Sequence, residues 1–146
     1  MNLNPVEIIK KNIITGISII DQKDSECQLQ QCGIDLRLKE AVKISKNSFA
    51  NVELIEKFDM QEYFGMLIIR SSFSRLGIFL SAGLFDPGFK GIGGISLYNL
   101  GEDAIFIVEK TRICQMIVFK ANYYRMYEGH YNKNDTIESR YKEGKK

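Results

Sequence analysis

The sequence predicts a mostly β protein, a distorted antiparallel β-barrel or jelly roll with a short N-terminal helix. Three observations predict it. Short runs rich in branched and aromatic residues recur from about Ile17 to Phe119, and many short strands at regular intervals suit a closed or doubled antiparallel sheet. Glycine and polar turns separate these runs. Helical spacing of apolar residues is confined to the opening segment.

The helix is expected over residues 4–14. Asn4 can cap it, Pro5 takes the first helical position, and Val6, Ile9 and Ile13 recur at helical spacing before Gly16 ends it. Strands are expected at Ile17–Ile20, Ile34–Leu38, Met66–Ile69, Ile78–Leu80, Ile92–Leu97, Ala104–Val108 and Ile113–Phe119. With two prolines and no low-complexity stretch, residues 1–120 read as one β domain. Residues 121–146 are polar, tyrosine-dotted and basic. They read as a tail, either an extended functional segment or a frayed terminus.

The 146 residues fit one domain. Hydrophobic residues make up 45% and charged residues 26%, ordinary globular values that exclude wholesale disorder. No apolar run reaches the length of a membrane helix. The N-terminus lacks the order of a secretory signal, so an intracellular, cytoplasmic protein is expected. Cys27, Cys32 and Cys114 are odd in number and form no C-x-x-C pair. That argues against a disulfide framework or a thiolate metal site, and each cysteine is expected to be a small buried hydrophobe. A net charge of +2 is too small to argue for a nucleic-acid polymer as partner, but it suits one triphosphate.

Several chemistries are excluded by missing parts. The single histidine, His130, lies in the tail, which disfavours a Ser-His-Asp or Cys-His machine. The H-x-E and P-C-x-x-C segments of zinc-dependent base deaminases are absent. So is a G-x-x-x-x-G-K-[ST] phosphate loop, and Gly88, Gly91, Gly93 and Gly94 lie between strands rather than before a helix.

Two segments carry chemistry. Arg70-Ser71-Ser72-Phe73-Ser74-Arg75 follows an apolar strand and combines two cations with three hydroxyls, a set that suits phosphate or, taken alone, a solvated turn. Ser81-Ala82-Gly83-Leu84-Phe85-Asp86-Pro87-Gly88-Phe89 places one carboxylate at a bend, where Asp86 is either a turn former or a catalyst.

In this order and spacing the two segments resemble the second and third motifs of the dUTPase and dCTP deaminase superfamily. Gln31-Cys32-Gly33-Ile34-Asp35-Leu36-Arg37-Leu38 resembles its first motif, and Arg112-Ile113-Cys114-Gln115-Met116-Ile117 its fourth. The resemblance implies a homotrimer with active sites between subunits and a C-terminal tail closing over the triphosphate. It implies phosphate contacts from Arg70, Ser71, Ser72 and Gln115, and main-chain recognition of uracil by the hairpin around Ala82, Gly83 and Leu84. Phe89 falls where the family places an aromatic under the deoxyribose; core packing is the rival reading. Arg75 matches a deaminase position, or is a salt-bridged structural arginine. Asp35 either contacts the waters of a phosphate-bound Mg2+ or fixes a turn.

The reaction follows from one position. Zinc-free deaminases of the family place a catalytic glutamate where this chain has Ser96, and a hydroxyl cannot replace it as general base without a partner. Glu102 and Glu109 are nearby, but neither falls at the expected position. The dUTPase carboxylate is present as Asp86. The implied activity is dUTP diphosphatase: Mg2+-assisted hydrolysis to dUMP and pyrophosphate by a water that Asp86 activates. The alternatives are a dCTP deaminase, alone or bifunctional, a non-catalytic nucleotide-binding relative, and an unrelated β-barrel binding module. The tail lacks the R-G-x-G-G-F-G-S-T-G motif of ordinary dUTPases and instead resembles a deaminase tail, with Tyr131, Ser139 and Arg140 as expected nucleotide contacts. His130 stands where a deaminase lysine is common, and Ile69 replaces the proline usual before Arg-Ser-Ser.

Overall fold

A computed structural model of the chain describes residues 1–129. The expected contacts at Tyr131, Ser139 and Arg140 lie outside the described residues.

Helix α1 spans Pro5–Lys10. Asn4 accepts a hydrogen bond from the Glu7 amide at 3.0 Å, and the Glu7 carboxylate accepts one from the Asn4 amide at 2.9 Å, a reciprocal cap that uses two otherwise orphaned donors. The helix is shorter than its spacing suggests. Asn12 turns left-handed at φ +55°, a conformation asparagine tolerates, and the chain enters strand β1 (Ile14–Thr15), paired with Phe58 and Lys57. Ile13 is therefore buried by sheet packing rather than by a helix face.

The remaining strands are β2 (Ile34–Arg37), β3 (Val42–Ile44), β4 (Phe49–Asp59), β5 (Tyr63–Ile69), β6 (Ile78–Ser81), β7 (Lys90–Asn99), β8 (Ile105–Ile107) and β9 (Arg112–Lys120). A single turn of helix, α2 (Ser71–Ser74), follows β5. Three antiparallel sheets form, in the orders β1-β4-β7-β6, β2-β9-β5 and β3-β8. They curl around one core that includes Ile34, Leu36, Leu38, Leu54, Leu97, Ile113 and Met116, which gives the expected distorted β-barrel.

Two expectations are corrected. Residues 17–20 form no strand, because a side chain takes the place of a neighbouring strand: Gln28 Oε1 accepts from the Ser18 and Ile19 amides at 3.0 and 3.3 Å. Cys27 and Cys114 are buried, but Cys32 is exposed in the turn before β2. The longest strand, β4, has no counterpart among the expected ones. Its sequence breaks the apolar alternation with Glu56, which is wholly buried. Glu56 accepts from Gln28 Nε2 (2.8 Å), the Arg37 amide (2.9 Å) and Arg37 Nε (2.8 Å). A buried charge is tolerated where it is paired and hydrogen-bonded in this way.

Candidate active site

The Asp-Pro-Gly turn lies between β6 and β7 and is tied down on several sides. Phe85 exchanges two backbone hydrogen bonds with Gly65 of β5, at 2.9 and 3.0 Å. The Gly88 amide donates to Gln61 O at 2.8 Å, Met60 N donates to Phe89 O at 2.9 Å, and Tyr127 N donates to Pro87 O at 2.7 Å. The Phe85 ring packs edge-on against Phe58 and Phe89, with centroids 4.8 and 5.4 Å away. Gly88 adopts φ +88°, and a β-carbon there would stand 2.8 Å from Tyr127 N, so the turn requires glycine. Asp86 is half-buried on this rigid support. Such positioning on locked elements is what a reacting group needs.

Asp86 lines a cavity of about 430 Å³ together with Gly83, Leu84, Phe89, Gly93 and Tyr127. Phe89 packs edge-on against Phe85 and also lines the cavity. Ala82, Gly83 and Leu84 are exposed along the rim, and a β-carbon at Gly83 would meet nothing within 4 Å. Tyr127 was not legible as a site residue. Its ring sits 5.8 Å from Phe89, a contact that only the return of the chain after β9 creates.

A second cavity, about 860 Å³, adjoins the first and shares Gly83 and Gly94 with it. Ser96 lies on its floor and donates to Asn51 Oδ1 at 2.6 Å. Asn51 and Ser81 flank Ser96 on the neighbouring strands. Glu53 stands opposite Gly94 and lines the same cavity, with its carboxylate 3.3 Å from Lys39 Nζ. Glu102 and Glu109, the carboxylates weighed against Ser96 on sequence, line neither cavity. Glu53 is distant in sequence from Ser96 and becomes its diagonal neighbour only through strand register.

A third group surrounds Asp35. Its Oδ2 lies 3.2 Å from Arg70 Nε and 3.1 Å from Arg112 Nη1, and Gln115 stands directly across the β2–β9 pair. The carboxyl is 1% exposed, and Oδ1 has no hydrogen-bond partner among the described residues. Burial pushes its pKa above the ordinary value, against the opposing pull of Arg70 and Arg112. Ser71, Ser72 and Arg75 are exposed around α2, and Arg75 makes no ion pair among the described residues.

Arg70, Gln115 and Asp35 are thus brought together, but Asp86 is not brought to them. Gly65 holds the Asp86 turn at one end of β5, and Arg70 follows the other end, about 17 Å farther along at about 3.3 Å per strand residue.

Residues 39–121, more than half of the chain, match the family model described as dCTP deaminase-like. The chain belongs to the dCTP deaminase-like family. Within the wider dUTPase and dCTP deaminase superfamily, it is 33% identical over 79 residues to a "dCTP deaminase, dUMP-forming" of Hydrogenobaculum sp. (strain Y04AAS1), a match that covers 53% of this chain and 45% of that protein. It is also 24% identical over 90 residues to the Pol polyprotein of an ovine maedi visna related virus, covering 61% of this chain and 8% of that one. The chain therefore spans less than half of the length of these curated relatives.

Solved structures share the fold at low identity. Native EIAV dUTPase superposes with a TM-score of 0.62 at 20% identity, covering 83% of this chain and 98% of that one. The dCTP deaminase of Agrobacterium tumefaciens gives 0.67 at 14% identity, covering 80% and 48%. A phage phi11 dUTPase of S. aureus, described with a structural Mg(II) ion, gives 0.60 at 16% identity, covering 80% and 94%. Each of the two adjoining cavities carries a carboxylate, Asp86 in one and Glu53 in the other.

Proposed function

We propose that the chain hydrolyses dUTP to dUMP and pyrophosphate, with Asp86 as the general base. The observation that carries this reading is Asp86 itself: a half-buried carboxylate on a cavity wall, held by a turn that is hydrogen-bonded to β5, to the β4–β5 corner and to Tyr127. Asp86 holds a water and takes its proton as the oxygen attacks phosphorus; the α–β phosphoanhydride breaks and pyrophosphate leaves. Phosphoryl transfer of this kind depends on positioning and on neutralising oxygen charge. Arg70, Ser71, Ser72, Arg75 and Gln115 supply the donors. Phe89 supports the deoxyribose, the main chain of Ala82, Gly83 and Leu84 contacts the base, and Tyr131, Ser139 and Arg140 close over the phosphates.

Mg2+ fits this arrangement as a hydrated ion gripped by the triphosphate. Among the described residues, no group of three or more His, Cys, Asp or Glu side chains could hold a metal ion, and a hard cation can remain bound mostly to water and phosphate oxygens. Asp35, with Oδ1 lacking a protein donor among the described residues, would accept a hydrogen bond from one of its waters. When bound, the ion would supply charge neutralisation.

Because Asp86 and the Arg70 group stand at opposite ends of β5, one subunit's Asp86 cavity is completed by the Arg70 group of another copy in a homotrimer. Met66 and Ile68 support association: both project from β5 and are 48% and 51% exposed, an apolar surface that a partner would cover. The substrate is a single nucleotide in the cytoplasm, not a nucleic-acid polymer, and no helix among the described residues is long and apolar enough to cross a membrane.

One observation favours a second reading, deamination of dCTP. Glu53 shares the cavity of Ser96 and supplies a carboxylate that the local sequence around Ser96 lacks. Incubating the protein with Mg2+ and either dUTP or dCTP, while following pyrophosphate and nucleotide products, separates the two. Pyrophosphate and dUMP from dUTP alone support hydrolysis; dUTP or dUMP from dCTP, lost in Glu53→Gln, supports deamination. Silence with both nucleotides overturns both.

A further inference from the structure

The geometry points to Asn51 as a specificity-determining residue, which with Ser96 reads the 3,4-edge of a pyrimidine and selects uracil over cytosine. This rests on the dUTP-hydrolysing reading. The larger cavity borders the Asp86 cavity along Gly83 and Gly94, so a nucleotide with its phosphates near Asp86 is placed to lay its base over the larger cavity's floor. Across that floor runs a polar row contributed by three adjacent strands, Ser81, Ser96 and Asn51.

The hydrogen bonding within the row gives it a direction. Ser96 spends its only proton on Asn51 Oδ1 at 2.6 Å, so its oxygen faces the cavity as an acceptor. Asn51 Nδ2 makes no hydrogen bond among the described residues and is available as a donor. An acceptor beside a donor complements the N3–H and O4 of uracil. Cytosine presents the reverse, a bare N3 and an amino group, so both contacts would be mismatched. The pair is neutral, so it can discriminate the two edges without assisting proton transfer. Sites that hydrogen-bond a substrate group reject the mismatched analogue strongly, because their own polar groups are left unpaired.

The test is isothermal titration of the full chain with Mg2+ and the α,β-imido analogues of dUTP and dCTP, compared across parent, Asn51→Ala and Asn51→Asp, with circular dichroism to establish folding. Asn51→Asp replaces the donor by an acceptor. We expect it to narrow or reverse the uracil-over-cytosine affinity ratio by about 10- to 100-fold, and Asn51→Ala to narrow it by less. An unchanged ratio in folded Asn51→Asp overturns the inference, as does a parent protein that binds the cytosine analogue more tightly, which would mean that the Asn51 amide is turned the other way. Pyrophosphate release from dUTP is measured alongside. Its absence in the parent sinks the hydrolase reading while the affinity ratio still decides the role of Asn51.

Discussion

Asp35 and Asp86 carry the same carboxyl group in two opposed settings. Asp35 is 1% exposed between the guanidiniums of Arg70 and Arg112, and these neighbours come from β9 and from the residue that follows β5. Asp86 is half-buried, makes no ion pair among the described residues, and faces a cavity from a turn whose backbone, rather than its side chain, is tied down. A buried carboxylate with one oxygen, Oδ2, shared between two arginines holds structure together. One whose backbone is held while its side chain stays open can act on a water.

Four variants break or sharpen that contrast. Asp86→Asn is expected to lower kcat by about 10²- to 10⁴-fold, the range of a lost general base, while affinity for the imido analogue and the unfolding midpoint stay near the parent values. Near-normal turnover would remove Asp86 from the chemistry. Asp35→Ala takes their common partner from Arg70 and Arg112, but Arg112 keeps the Glu26 carboxylate at 3.1 Å and the Cys27 and Ser25 carbonyls, so the loss is expected to fall below the roughly 3–5 kcal/mol of an uncompensated buried charge; urea unfolding reads it, and a parental midpoint would mean that these partners and water compensate fully. Gly88→Ala forces a β-carbon into left-handed backbone beside Tyr127 and should cost about 1–3 kcal/mol, with a fall in kcat because the Asp86 turn shifts. Tyr127→Ala removes one wall of the cavity and should raise KM a few-fold, about 1 kcal/mol of lost apolar contact, with kcat unchanged; an equal fall in kcat would instead make Tyr127 part of how Asp86 is held.

The Asp86 turn was legible because its chemistry is local. Asp-Pro-Gly fixes a bend from adjacent residues alone, and the cap formed by Asn4 and Glu7 is equally short-range. The Ser96 position was legible as a missing carboxylate, but the groups around it were not. Asn51 and Glu53 lie on β4, a strand hidden by its own polar residues, since buried Glu56 reads as a surface residue until Gln28 and Arg37 are found around it. The expected strand at 17–20 failed for the same kind of reason: the amide of Gln28 meets its backbone, and no sequence pattern announces that contact.

What the sequence determined by itself was therefore the local and the ordered: a capped helix, a succession of short β runs, the bend at Asp86, and four family motifs in series. The tertiary structure decided which carboxylate is sealed and which is open, that Glu53 and Asn51 border Ser96, and that Asp86 and Arg70 lie at opposite ends of β5. Strand register and burial made those decisions. Both depend on residues far apart in the chain, and a shift of one residue in pairing turns every side chain of a strand to the other face.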